Sequence, residues 1–216
     1  MVDWRTIIKN KIFMTSRIGF QREVDRLIAK RSLDSSAGGI IFIGSSIFRL
    51  WKTLEADMSP LPVINQAFGG SKTWEVLSYA DRLVLPYQPK IVVYYCGSND
   101  INLGRNARQI KDNFQRFVEH LIAAMPQIKI FFISINLAPQ KQNKWHIVDS
   151  TNKLIEQYCQ ETANLEYIDV NSVLFDSTKK PRVECFESDR VHLKPLAYQE
   201  FSKIIKPVLE NAWNAN

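Results

Sequence analysis

The sequence has no long apolar run and few residues that could build a disulfide or metal framework. Across its 216 residues, no apolar stretch approaches the roughly 18 residues that a membrane-spanning helix needs. The opening segment, MVDWRTIIKN, lacks the apolar centre of a secretory signal. The three cysteines, Cys96, Cys159 and Cys185, are odd in number and have no metal-type spacing. We therefore expect a soluble, cytoplasmic protein with reduced thiols.

The chain has fewer acidic than basic residues. Its net charge is +6, and most of this excess lies in residues 1–36. No nucleic-acid reading motif accompanies these basic residues, and their spacing is typical of a solvated helix face. We expect no nucleic-acid partner. The alternative is a basic protein that binds nucleic acid through residues 1–36, with an affinity that falls steeply as salt rises.

The sequence also has no internal repeat, low-complexity segment or second domain. Helical spacing of apolar residues predicts one helix over residues 4–12 and another over residues 20–28. We expect residues 1–36 to form N-terminal helices that pack on a single domain, residues 37–216.

Short runs that are apolar throughout alternate with helical patterns from residue 40 onward. The predicted strands cover residues 40–43, 61–68, 90–97, 128–136 and 165–170. Helices are predicted over residues 110–125, where Pro126 ends the pattern, over 154–159, and from about Pro195 with a kink or break at Pro207. Apolar strands that alternate with helices indicate a parallel sheet buried on both faces. We therefore expect a three-layer α/β/α sandwich.

Small and polar residues follow these strands, where open α/β sheets bind their ligands. They are Gly44, Ser45 and Ser46 after the first strand, Gly69 to Ser71 after the second, Gly97 to Asp100 after the third, and Asp189 and His192 beyond the fifth. Together they supply a hydroxyl, amide donors, a carboxylate and an imidazole, which are the groups that acyl transfer through a serine requires. Taken alone, the two serines are better explained as caps of the following helix.

Asp189 and His192 are the most informative pair, because a carboxylate three residues away can fix the tautomer of the imidazole. Of the other histidines, His120 is expected to be a partly exposed helix residue. His146 is a rival base because Asp149 follows it at helical spacing. However, nothing ties His146 to the other polar loops.

In order and content, four sequence blocks resemble those of the SGNH (GDSL-type) hydrolases. The G-D-S-[LI] block resembles residues 44–47, N-x-G-x-G-G resembles residues 65–70, G-x-N-[DN] resembles residues 97–100, and D-x-x-H resembles residues 189–192. The resemblance spans residues 40–193 and implies a flavodoxin-like sheet of strand order 2-1-3-4-5. It also implies a serine esterase or acylhydrolase that acts on a small-molecule ester and needs no metal or cofactor.

The resemblance implies a role for each matching residue. Ser46 would be the nucleophile and His192 the general base, oriented by Asp189. The backbone N–H groups of Ser46 and Gly70 and the side-chain amide of Asn99 would form the oxyanion hole.

Two positions depart from the family pattern. Ser45 stands where the family usually has aspartate, and Ala67 stands where it often has glycine. Neither position supplies a catalytic group, so we expect activity to survive both changes.

The motifs do not identify the ester substrate or the acceptor of the acyl group. The polar loop over residues 136–145 follows the fourth strand and favours small or hydrophilic acyl groups, including carbohydrate-linked ones. Four aromatic residues could border the cleft, although each is better explained as core or general surface: Trp51, Trp74, Tyr95 and Trp145. The alternatives are an acyltransferase that uses the same triad and an inactive member that only binds ligand.

Overall fold

The computed structural model describes residues 20–29 and 37–215. Residues 20–29 form helix α1, which confirms the second predicted helix. The first predicted helix, residues 4–12, lies outside the described residues. The boundary between residues 36 and 37 and the packing of the N-terminal helices stay predictions.

A five-stranded sheet of order β2-β1-β3-β4-β5 organises the chain from residue 40 onward. Its strands are β1 (Ile40–Gly44), β2 (Val63–Asn65), β3 (Ile91–Tyr95), β4 (Lys129–Ile133) and β5 (Leu165–Ile168). Every neighbouring pair is parallel. All residues of β1 and β3 are buried, which explains why these strands are apolar throughout. The predicted fold and strand order are therefore confirmed.

Helices follow the strands along the chain. They are α2 (Ser46–Arg49), α3 (Leu54–Met58), α4 (Thr73–Ser78), α5 (Ala80–Leu83), α6 (Ser98–Asn102), α7 (Ala107–Ala124), α8 (Trp145–Glu161) and α9 (Pro195–Asn214). On one face of the sheet, Tyr94 and Phe132 pack against Phe114 of α7. Phe42 and Val93 share the other core cluster with Phe201 of α9. The sheet is thus the middle of three layers.

Of the kink or break expected at Pro207, the break is wrong, because α9 continues from Pro195 to Asn214, and the kink stays a prediction. Proline removes one backbone hydrogen bond from a helix interior. Phe201 before Pro207 and Leu209 after it are both fully buried. Burial of apolar side chains on both sides of the proline outweighs the lost bond and keeps the helix continuous.

Two glycines determine how the chain leaves the central strands. Gly44 ends β1 with φ 143°, and a Cβ there would lie 1.8 Å from the carbonyl oxygen of Tyr95. Gly97 follows β3 with φ 135°, and a Cβ there would lie 2.5 Å from Ile135 Cδ1. Only glycine fits at these positions. The turns that they allow lead into α2 and α6, whose first turns carry Ser46 and Asn99.

Candidate active site

The serines after β1 occupy different environments. Ser45 is the N-cap residue of α2 and is 1% exposed, but its side chain makes no capping hydrogen bond. Ser46 is the first residue of α2 and is half-buried, and both serines line the same cavity. Helix capping therefore accounts for neither hydroxyl.

Ser46 belongs to a hydrogen-bonded chain with the two predicted partners from beyond the fifth strand. Its Oγ lies 3.0 Å from Nε2 of His192. On the other side of the ring, Nδ1 of His192 lies 2.5 Å from Oδ2 of Asp189. The structure thus brings together three side chains that are up to 146 positions apart in sequence. With Asp189 accepting from Nδ1–H, Nε2 is left free to take a proton from the hydroxyl.

The loop itself holds Asp189 in this orientation. Its Oδ1 accepts hydrogen bonds of 2.9 Å from the backbone N–H groups of Val191 and His192. Partial burial works to raise the pKa of Asp189, but these bonds and the His192 ring outweigh it and lower the pKa to about 2. The carboxylate therefore stays ionised across the neutral range.

Three potential oxyanion donors lie in the loops after β1, β2 and β3. The backbone N–H groups of Ser46 and Gly70 donate to no acceptor in the part of the chain that the structure describes. Gly70 has a φ of 75°. One Nδ2 hydrogen of Asn99 donates to the Ser71 carbonyl oxygen at 3.0 Å, which leaves the second hydrogen available.

The hydroxyl and the candidate donor amide open into a cavity of about 310 Å³. Besides Ser46, Asn99 and His192, several polar residues line it: Ser98, Asn102, Asn136, Gln140 and Lys141. Most of the residues that line it are polar, so it is named the polar cavity. We refer to it by that name below.

A sequence profile of the GDSL-like lipase/acylhydrolase family matches residues 44–200. The chain belongs to this family. Membership makes it an ester hydrolase, since the matched region contains the hydroxyl, the imidazole and the carboxylate described above. No curated protein sequence matches the chain.

Solved structures share the fold of this GDSL-like hydrolase at low sequence identity. A GDSL-like lipase from Bacteroides thetaiotaomicron is 19% identical, with a TM-score of 0.73 over 89% of this chain and 98% of that one. A lipase/acylhydrolase from Enterococcus faecalis is 19% identical, with a TM-score of 0.65 over 81% and 96%. A carbohydrate esterase family 3 protein from Talaromyces cellulolyticus is 19% identical, with a TM-score of 0.66 over 83% and 99%.

No helix within residues 20–29 and 37–215 is long and apolar enough to cross a membrane. The same residues contain no group of three or more His, Cys, Asp or Glu side chains that could hold a metal ion.

Lys141 is the cavity residue that sequence reasoning missed, although it lies in the polar loop expected to set specificity. It is 4% exposed, and its Nζ donates to the carbonyl oxygen of Ser98 at 3.1 Å and to Ser98 Oγ at 2.6 Å. Burial, with a smaller effect of Lys144, lowers the pKa of Lys141 to about 8. No carboxylate pairs with the ammonium among the described residues. Lysine side chains are rarely buried, so no pattern in the sequence indicates the burial of Lys141.

The rival histidines lie elsewhere. His146 is exposed at the start of α8, and neither it nor Asp149 lines the polar cavity. His120 is 41% exposed and contacts Asp81 at 2.6 Å, which agrees with its expected place on a helix surface.

The four aromatic residues that could border the cleft lie in different parts of the structure. Trp51 is 2% exposed and stacks on Tyr198 in the core. Trp74 lies against Arg105, and Trp145 packs on Phe175. Tyr95 is the member of this set that lines the polar cavity.

Ser71 links the three donor loops. Its Oγ donates to the carbonyl oxygen of Gly44 at 2.9 Å, and its own carbonyl oxygen accepts from Asn99. Asp100, next to Asn99, accepts from Thr73 through the backbone N–H at 3.1 Å and through Oγ1 at 2.5 Å. These contacts fix the loop of Gly70 against the loop of Asn99.

Asp100 also makes stability depend on pH. It is fully buried, and burial raises its pKa from 3.8 to about 6, although the Thr73 hydrogen bonds oppose the shift. The folded protein therefore binds the Asp100 proton more tightly than the unfolded chain does. This contribution to stability is complete below pH 3.8 and is lost as the pH rises through 6.

We predict that the free energy of unfolding of the wild type, measured relative to Asp100→Asn, falls by about 2–3 kcal/mol between about pH 4 and pH 7. Urea denaturation of both proteins at the two pH values checks this. The difference at the lower pH is the reference, because it contains any cost of the substitution itself. Equal differences at both pH values would contradict the assignment.

Proposed function

We propose that Ser46, His192 and Asp189 are a catalytic triad that hydrolyses carboxylic esters through an acyl-enzyme. The observation that carries this proposal is the continuous contact from Ser46 Oγ to His192 Nε2 and from His192 Nδ1 to Asp189 Oδ2, at 3.0 and 2.5 Å. Family membership supports the reaction class, and the ionised Asp189 supports its role in orienting the ring.

In the first half of the reaction, Ser46 Oγ attacks the ester carbonyl carbon while His192 Nε2 takes the hydroxyl proton. The imidazolium then gives this proton to the alcohol oxygen, and the carbon–oxygen bond to the alcohol breaks. In the second half, His192 takes a proton from water as the water oxygen attacks the acyl carbon. The bond between that carbon and Ser46 Oγ then breaks, His192 returns the proton to Oγ, and the acid leaves. Asp189 stabilises the imidazolium in both halves.

Three donors would stabilise the negative charge that develops on the carbonyl oxygen. The N–H groups of Ser46 and Gly70 have no protein acceptor among the described residues, and Asn99 keeps one amide hydrogen free. Donors fixed in advance cost little reorganisation when the charge forms.

Replacing Asn99 by alanine is expected to lower kcat about 10²–10³-fold, because one oxyanion donor disappears. Steady-state hydrolysis of p-nitrophenyl acetate measures the loss. The matched control is Asn102→Ala, which removes an exposed carboxamide from the same cavity and should change kcat less than about threefold. Equal losses of kcat in both variants would contradict the assignment of Asn99 to the oxyanion hole.

The polar cavity supports small or hydrophilic acyl groups, including those of carbohydrate esters, over long lipid chains. Its volume is about 310 Å³, and it contains the buried ammonium of Lys141. A long alkyl chain would displace water from the polar side chains that line the cavity and would offer them no hydrogen bond in return, which costs binding energy. Faster hydrolysis of long-chain than of acetyl p-nitrophenyl esters would contradict this preference.

The proposal is tested by mass spectrometry of the intact protein and of its peptides during turnover of p-nitrophenyl acetate. Quenched samples should carry one acetyl group on the peptide that contains Ser46, and the product should be free acetate. Added alcohols distinguish water from another acceptor, since an acyltransferase would form a new ester. An enzyme that turns over without acylation of Ser46 would overturn the mechanism.

We also infer a cytoplasmic location and no nucleic-acid partner. The buried, unpaired state of Cys96, Cys159 and Cys185 supports a reducing compartment.

A further inference from the structure

A second cavity lies beside the proposed triad. It has a volume of about 450 Å³, and its walls include Asp189 and His192, which also line the polar cavity. Neither Ser46 nor Asn99 lines it. We call it the apolar groove, because most of its surface is apolar and its lining residues include Leu50, Leu193, Pro195 and Tyr198.

The two cavities therefore differ in the catalytic groups that they contain. The polar cavity includes Ser46, Asn99 and His192, whereas the apolar groove reaches His192 alone among these three. The groove also carries Lys52 and Glu187, which are exposed side chains. Its inner surface is thus suited to an apolar group of limited size.

Reaction geometry assigns a different part of the ester to each cavity. The carbonyl oxygen must point toward Asn99, and the carbonyl carbon must meet Ser46 Oγ. The alcohol oxygen must lie near His192 Nε2, because the imidazolium gives its proton to that atom when the bond to carbon breaks. The apolar groove borders His192 but not Ser46 or Asn99, so of the two cavities it is the better match for the alcohol side of the scissile bond.

We propose that the apolar groove binds an apolar alcohol portion of the substrate, of aryl or short branched alkyl type, while the polar cavity holds a small polar acyl portion. The proposal rests on the triad mechanism above. It makes Leu50 a specificity-determining residue. Leu50 directly follows α2, which begins at Ser46, so this short helix fixes the position of Leu50 relative to Ser46.

The order of the reaction separates the two portions experimentally. Alcohol release ends the first half-reaction, so every acetate ester yields the same acetyl-enzyme. A substitution in the apolar groove should therefore change acylation by an apolar ester and leave deacylation unchanged. A substitution in the polar cavity should act equally on esters that differ only in their alcohol.

The test compares 1-naphthyl acetate with methyl acetate in the wild type and in Leu50→Gln. We expect Leu50→Gln to lower the second-order acylation rate constant about 10-fold for the naphthyl ester and less than about twofold for the methyl ester. The deacylation rate should not change. For each ester, the acylation rate constant of the variant is divided by that of the wild type, so the intrinsic reactivity of the leaving group cancels.

Two further variants complete the test. Leu154→Gln, which alters a 39% exposed leucine on α8, should change neither ester. Lys141→Met, in the polar cavity, should change the two esters by the same factor. Equal losses for both esters in Leu50→Gln, or an altered deacylation rate, would overturn the proposal.

Failure of this proposal is distinguishable from failure of the triad. If acetyl groups accumulate on Ser46 but Leu50→Gln does not discriminate between the esters, the division of the substrate is wrong and the triad stands. If Ser46 is never acylated while the esters turn over, both proposals fall.

Discussion

Ser46→Ala is expected to lower kcat for ester hydrolysis by about 10⁴–10⁶-fold, because it removes the proposed nucleophile. Ser46 Oγ is the hydroxyl that contacts His192 Nε2, at 3.0 Å. Steady-state assays with p-nitrophenyl acetate measure the loss. Thermal unfolding should be little affected, since the hydroxyl is half-buried and faces a cavity.

The matched control is Ser45→Ala, the neighbouring serine that makes no side-chain capping bond. It removes the same atom from a residue that is 1% exposed, and kcat should change less than about tenfold. A large loss in Ser45→Ala with little loss in Ser46→Ala would reverse the assignment of the nucleophile.

His192→Ala is expected to cause a loss of similar size, about 10⁴–10⁶-fold in kcat, because Ser46 then has no base. The residues of a triad act as a unit, so Ser46→Ala and His192→Ala together should cost little more than either alone. Measurement of kcat for the wild type, both single variants and the double variant tests this non-additivity.

His146→Ala serves as the control, since His146 also has an aspartate three residues later but is exposed on α8. We expect its kcat to stay within about twofold of the wild type. If the loss of kcat in the Ser46 and His192 double variant equals the product of the two single losses, the residues act independently, contrary to the triad.

The three-layer architecture could be predicted because burial on both faces leaves a simple pattern in the strands, whereas the strand order followed from the family resemblance. Residues of β1 and β3 are apolar at every position, and Pro126 ends the pattern of α7. The error at Pro207 has the opposite cause. Local chemistry disfavours a proline inside a helix, but tertiary packing of Phe201 and Leu209 decides the outcome.

The site was partly accessible for a related reason. Parallel strands bring their carboxyl ends to one edge, so the residues after β1, β2 and β3 could be grouped before their contacts were known. The buried Lys141 and the bond between Asp100 and Thr73 could not be predicted. Both depend on how two loops pack against each other, and no periodic pattern in the sequence indicates that packing.

Fluorophosphonate labelling followed by peptide mapping is the most direct test of Ser46 as the nucleophile, because the reagent reports an activated serine without requiring knowledge of the substrate. We expect one adduct, on Ser46. Labelling should persist in Ser45→Ala, disappear in Ser46→Ala and become much slower in His192→Ala. An adduct that survives in Ser46→Ala and is lost in Ser45→Ala would show that Ser45, and not Ser46, is the nucleophile.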